Sequence, residues 1–197
     1  LLHELDHRVK NNIQLLLSLV SYEIRQAESP EVRRALGGVR ERLQALGIVH
    51  RLLYASDDVD AFDAGGFARE LCADLLANSE RRDIVLEAQT GPVSVPAAMA
   101  APIALLLNEM VSSALAHAFQ GRPGRLTLIV RSAGDTCLIE IRDDRFTPAE
   151  KQETRARSEG AIQKALVRQL SARVEWPEEP QVLVRIGLPV PQRPKAG

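Results

Sequence analysis

The chain has little cysteine, few aromatic rings, almost no net charge and no long apolar run. Two cysteines in 197 residues cannot build a disulfide framework. Cys72 and Cys137 lie far apart in apolar surroundings and read as small buried hydrophobes, which fits a reducing, cytoplasmic compartment. Aromatic residues make up 4% of the chain, so core filling rests on Leu, Val, Ile and Ala. A formal net charge of −1 gives nucleic acid no electrostatic footprint, and no nucleic-acid partner is expected. No run approaches the roughly 18 apolar residues of a membrane span, and no signal peptide is visible. A membrane partner is therefore not expected for this stretch. The chain starts at Leu1 and not at Met, as a piece of a longer protein would, leaving room for an upstream sensory region.

What is present is length, periodicity and uneven charge. The length suffices for one large or two small domains with a sizeable core. Residues 57–97 hold nine acidic side chains against three arginines, whereas residues 1–56 hold eight basic against six acidic. This shift divides the chain into residues 1–56 and 57–197. In the first part Leu2, Leu5, Val9, Ile13, Leu16, Val20 and Ile24 recur at three- and four-residue steps, the stripe of a helix with one buried face. His7, Lys10, Asn11, Gln14, Ser18, Ser21 and Arg25 take the same steps on the other side. An imidazole there is wet, and its neutral form offers a ring nitrogen as nucleophile or ligand.

Ser29 reads as the N-cap and Pro30 as the first residue of a second helix running to about Tyr54. Val32, Leu36, Val39, Leu43, Leu46, His50 and Leu53 follow a 3.5-residue period, that of a coiled coil. His50 falls on that seam and reads as packed, not reactive. The two helices make an antiparallel hairpin. A lone hairpin buries too little, so two copies are expected to pair as a homodimeric four-helix bundle. After a linker at residues 57–60, helices are expected at 66–78, 95–119 and 160–170. Strands are expected at 84–88, 126–131, 136–142, 173–176 and 182–188, with a hairpin turn at Gly134-Asp135. Residues 148–158 are charged and free of glycine, and residues 189–197 form a frayed tail. The fold class is α+β: a helical hairpin, then a two-layer α/β sandwich with a mostly antiparallel sheet.

His7-Arg8-Val9-Lys10-Asn11-Asn12-Ile13-Gln14 resembles the phosphoacceptor box of a subgroup of bacterial sensor histidine kinases that includes the HWE-type enzymes. Such kinases join a helical-hairpin dimerisation domain to an ATP-binding sandwich of the type shared with gyrase and Hsp90, an order that fits essentially the whole chain. The resemblance implies that His7 is phosphorylated on a ring nitrogen. Phosphoryl transfer asks a protein mainly for positioning and charge stabilisation. Asp6 and Glu4 can hold the imidazole tautomer, and Arg8, Lys10 and Asn11 lie within one turn for contact with phosphoryl oxygens.

Asn108-Glu109-Met110-Val111-Ser112-Ser113-Ala114-Leu115-Ala116-His117-Ala118-Phe119 is similar to the family's helix that grips Mg²⁺-ATP. Glu109, Ala114, His117, Ala118 and Phe119 match; Ser113 stands where a metal-holding asparagine belongs, and Ala116 replaces a lysine. A serine hydroxyl is a poorer Mg²⁺ ligand than an amide carbonyl. Asp143 fits the residue that receives the adenine amino group, but Arg145 and Thr147 replace the glycines that let backbone approach the nucleotide. In Ser158-Glu159-Gly160-Ala161-Ile162 only Gly160 survives of a glycine-rich phosphate cradle, and Glu159 would repel phosphate.

The box is intact while Asn108, Glu109, Ser113, Asp143 and Gly160 stand as remnants of an eroded ATP site. The expected function is histidine phosphotransfer: His7 takes a phosphoryl group from an aspartyl phosphate on one response-regulator receiver domain and passes it to another. No cofactor or metal of its own is expected, Mg²⁺ belonging to the receiver. An ATP-dependent kinase core is the alternative, supported by Glu109, Asp143 and Gly160; a non-enzymatic scaffold that binds a regulator is a further one. His3-Glu4-Leu5-Asp6-His7 also spells a zinc-protease signature, but it stands at the extreme start and no obvious third ligand follows at short spacing.

Overall fold

The computed structural model describes residues 2–55, 60–78, 82–117, 122–144, 146–179 and 181–190; side chains are described from Arg8 onward, except those of His117 and Arg157. Contacts divide the chain into two compact units, residues 1–59 and 60–197.

The first unit is the expected hairpin of α1 (Leu2–Gln26) and α2 (Pro30–Ala55), which pack on each other. Ser29 caps α2: its hydroxyl accepts from the N–H groups of Glu31 at 3.2 Å and Val32 at 3.5 Å, with Pro30 as the first helical residue. Ile13, Leu17, Val20 and Ile24 are half-buried in α1. Val9, Leu15, Leu16 and Leu19 of the same helix are exposed, Leu15 to 59%. In α2 the fully buried residues are Ala45, Ile48 and Val49, while the seam positions Val32 and Val39 are exposed. The heptad stripe is thus not the buried stripe of this single hairpin. Both helices carry a second apolar row facing outward. His50 is half-buried, its ring 4.5 Å from that of Tyr54.

The second unit is a mixed five-stranded sheet under helices. Its strands are β2 (Ile84–Thr90), β4 (Gly124–Ala133), β5 (Thr136–Asp143), β6 (Arg173–Glu175) and β7 (Val182–Pro189), in spatial order β2-β4-β5-β7-β6. The β2–β4 pair is parallel and the other three are antiparallel. Leu126, Leu128, Val130, Cys137, Ile139, Ile141, Val184, Ile186 and Leu188 alternate along their strands and are buried. This is the period of a sheet with one covered face. Gly134, at φ 67°, makes the β4–β5 turn, where a side chain would be strained.

Above that face lie α3 (Ala64–Asn78), α4 (Ala100–His117), α5 (Pro148–Ser158) and α6 (Ala161–Gln169). The stretch Ala97–Ala116 has a mean hydropathy of 1.5 and is long and apolar enough to cross a membrane, contrary to the sequence expectation. It is mostly buried, in the manner of a core helix. A small antiparallel pair, β1 (Ala61–Asp63) and β3 (Ser94–Pro96), was not expected; it sits between the linker and α4. Asp63 joins it to α3 by accepting from Gly65 N and Val93 N, both at 3.0 Å. Gly65 admits no larger residue, because a Cβ there would stand 2.0 Å from the Gly91 carbonyl oxygen. Both cysteines are buried and free; burial pushes the Cys72 thiol up to about 12 and that of Cys137 up to about 11, which makes them inert.

Helix α5 was not expected either. Thr147 and Glu150 form a capping box at its start, with Pro148 at the first position. Its buried stripe is Glu150, Thr154 and Ser158. These residues have helical spacing but are polar, so no hydrophobic period marks them.

Candidate functional site

The first locus is the histidine box. Residues 4, 6 and 7 belong to the helical backbone of α1, so Glu4 precedes His7 by three positions, while Lys10 and Asn11 follow by three and four. Such positions are neighbours on a helix surface. The side chains of Glu4, Asp6 and His7, and that of His3, lie outside the described residues. Arg8, Lys10 and Asn11 are exposed.

The second locus is the polar face of α4 and the turn joining α5 to α6. Asn108 is buried. Glu109 Oε2 accepts from Gln163 Nε2 at 3.1 Å, and Ser158 Oγ donates to Ser113 Oγ at 3.1 Å. Glu109 and Ser113 stand four apart on α4, where a nucleotide-binding helix would aim its metal ligands. Here Ser113 bonds the last residue of α5 and Glu109 bonds a residue in the first turn of α6. Helix α5 packs against α4 with its buried polar stripe.

Gly160 is the N-cap of α6 at φ −68°, ψ 169°, an extended conformation open to any residue. Its role is steric: a Cβ there would come 2.6 Å from Gln163 Oε1. The neighbouring Glu159 pairs with Arg155 at 3.0 Å, so its charge is partnered within α5.

Asp143 ends β5 almost fully buried, with Oδ1 accepting from the N–H of Phe146. Its own N–H donates to the Gln181 carbonyl at 3.2 Å. The aspartate thus organises the turn leaving the sheet. Arg145 lies outside the described residues. Thr147 caps α5: its hydroxyl accepts from Glu150 N at 3.3 Å and donates to Glu150 Oε2 at 2.9 Å.

Glu150 was missed by sequence reasoning. It is buried, and accepts from Thr147 N at 2.7 Å and from Arg122 at 2.9 Å. Burial raises its pKa, but the bonds from Thr147 and the Arg122 guanidinium outweigh this and hold the carboxyl below the usual glutamate range. The Thr-x-x-Glu spacing of residues 147–150 was the available signal. Gln163 and Ser158 carried no local signal, since their partners are 54 and 45 residues away.

Residues 4–79 match the sequence profile of the histidine kinase family. Over 149 residues the chain is 26% identical to blue-light-activated histidine kinase 2 of Erythrobacter litoralis, which covers 73% of this chain and 42% of that protein. The chain therefore spans less than half the length of this curated relative. Among solved structures, the histidine kinase domain of the Erythrobacter litoralis EL346 blue-light-activated kinase superposes with a TM-score of 0.63 at 25% identity, over 96% of this chain and 90% of that one. Histidine kinase ThkA, in complex with the response regulator TrrA, shares the fold with a TM-score of 0.51 at 16% identity, over 95% of this chain and 61% of that one. With a helical hairpin bearing the histidine box, followed by this sheet domain, the chain is similar to sensor histidine kinases.

Proposed function

We propose that the chain is a histidine phosphotransfer protein of two-component signalling, with His7 as the relay. The neutral ring attacks the phosphorus of an aspartyl phosphate on a receiver domain. An N–P bond forms, the acyl P–O bond breaks, and the receiver regains its carboxylate. The ring proton is held by a neighbouring carboxylate, for which Glu4 and Asp6 are placed in sequence. Arg8, Lys10 and Asn11 offset phosphoryl charge. Transfer to a second receiver reverses these steps. Mg²⁺ belongs to the receiver, and the reaction takes place in the cytoplasm.

The observation that carries this reading is the pair of hydrogen bonds Gln163–Glu109 and Ser158–Ser113. The residues present do not fit Mg²⁺-ATP: Ser113 replaces an amide ligand, both α4 positions are bonded to the molecule itself, and Gly160 is an ordinary N-cap. The sheet domain then serves to shape a docking face. The outward apolar row of Val9, Leu15, Leu16 and Leu19, with Val32 and Val39, supports pairing of two hairpins into a four-helix bundle.

One comparison favours the second reading, a kinase core: the histidine kinase domain of the Erythrobacter litoralis EL346 blue-light-activated kinase superposes over nearly the whole chain. Incubating the protein with Mg²⁺-ATP alone and, separately, with a phosphorylated receiver decides between them. Label on His7 only in the second incubation supports relay; label in the first establishes a kinase.

A further inference from the structure

Between α5, α6 and the edge strand β6 lies a cavity of about 430 Å³. Asn108, Glu109, Ser113, Asp143 and Gly160 do not line it, but Ser158 and Gln163, which bond Ser113 and Glu109, do, so it adjoins the cleft described above. Its apolar wall is built from Met110, Val167, Val174 and Trp176. Trp176 is the only tryptophan of the chain and is half-buried. It also lines an adjoining cavity of about 610 Å³, bounded by Phe146, Pro148 and Leu183, and Arg155 is shared by the two. The indole therefore stands as a partition between two open spaces.

The rim of the first cavity is cationic. Arg155, Lys164 and Arg168 surround it, with Glu159 as the one carboxylate. Glu159 is paired with Arg155. Lys164 and Arg168 are exposed and lie four apart on α6. The Arg168 Nε–H is turned to the Lys164 carbonyl at 3.2 Å, which holds the guanidinium along the lip. Among the described residues neither cation has a carboxylate partner. Charge on the rim is thus unbalanced by two positive groups over an apolar, aromatic floor. The volume falls within the usual range of small-molecule sites, roughly 300–1,000 Å³.

We propose that this cavity binds a flat aromatic anion, its ring laid against Trp176 and its carboxylate or phosphate held by Lys164 and Arg168. A flat ring gains area and offset stacking on the indole, while a guanidinium and an ammonium at one end select an anionic group. An uncharged ring leaves the cations without a partner, and an anion without a ring leaves the apolar wall wet. This site is independent of the assignment of His7.

Trp176 supplies its own probe, because one indole gives a single side-chain N–H resonance in a proton–nitrogen correlation spectrum. Titration of the whole chain with naphthoate is expected to displace that resonance saturably. Naphthalene methanol, which keeps the ring and lacks the charge, is expected to need at least about tenfold higher concentration. The double variant Lys164→Ala/Arg168→Ala is expected to weaken naphthoate by about tenfold and leave the alcohol unchanged. Should that variant misfold, added salt on the parent protein makes the same distinction, weakening the acid and not the alcohol. Tighter binding of adenosine monophosphate than of naphthoate supports a nucleotide as the source of the anion; weaker binding supports an aryl acid. A resonance that does not move up to millimolar naphthoate, equal affinity for acid and alcohol, or full affinity in the double variant would each overturn the proposal.

Discussion

Ser171 holds a left-handed backbone, φ 49°, where α6 ends. The Ala172 N–H reaches the Val167 carbonyl at 2.9 Å and the Ser171 N–H reaches that of Arg168 at 3.1 Å, the pair of bonds of a Schellman cap. Glycine is the usual residue there because a Cβ costs about 1–2 kcal/mol in this conformation. The added freedom of glycine in the unfolded chain returns part of that gain. Ser171→Gly is therefore expected to stabilise the protein by about 0.5–1 kcal/mol, raising Tm by roughly 1–4 °C. Thermal unfolding checks this; an unchanged or lower Tm would show that the serine is not strained. The same cap positions the last turn of α6, which carries Arg168.

Helix α5 depends on a charged group more than on its apolar residues. Glu150 closes the capping box and ties Arg122, just before β4, to the helix. Glu150→Ala removes the cap and the bond from Arg122, at an expected cost of about 2 kcal/mol. Glu140 does similar work on β5: its carboxylate, 2% exposed, meets Arg142 at 2.9 Å and Arg185 at 3.4 Å. Burial raises its pKa, and the two arginines bring it below the ordinary value. Both carboxyls thus have folded-state pKa values below their unfolded ones. Their stabilisation is complete above the ordinary glutamate pKa, about 4.3, and is lost as pH falls through the folded values. Urea midpoints measured against pH should fall in acid for the parent and fall less for Glu150→Ala. Identical acid profiles would remove Glu150 from the account. This helix also marks where the sequence stopped being legible. Apolar periods made α1, α2 and the sheet strands legible as elements, although the stripes read for α1 and α2 include the exposed Val9, Leu16, Val32 and Val39. The α5 stripe is polar, and β1 and β3 are three residues each, too short for a period. The α4 site was recognisable by its residue order. Its hydrogen bonds to Gln163 and Ser158 were not, because they depend on how distant segments pack.

At the scale of the molecule, the hairpin presents more apolar surface than one copy covers. Leu19 is 53% exposed in the middle of that row. Leu19→Glu is expected to convert a dimer to a monomer in sedimentation experiments, because it places a charge at the centre of the apolar face. A variant that stays dimeric would locate the contact elsewhere. In the sheet domain, by contrast, Glu109 and Ser113 of α4 are hydrogen-bonded to Gln163 of α6 and Ser158 of α5. On the proposed reading, the phosphoryl group on His7 comes from an outside source. The most direct measurement is transfer of radiolabelled phosphate, followed on the parent and on His7→Ala. The expected result is rapid labelling from a phosphorylated receiver, no labelling from Mg²⁺-ATP, and none at all in His7→Ala. Label reaching His7 from Mg²⁺-ATP with no receiver present, or undiminished label in His7→Ala, would contradict it.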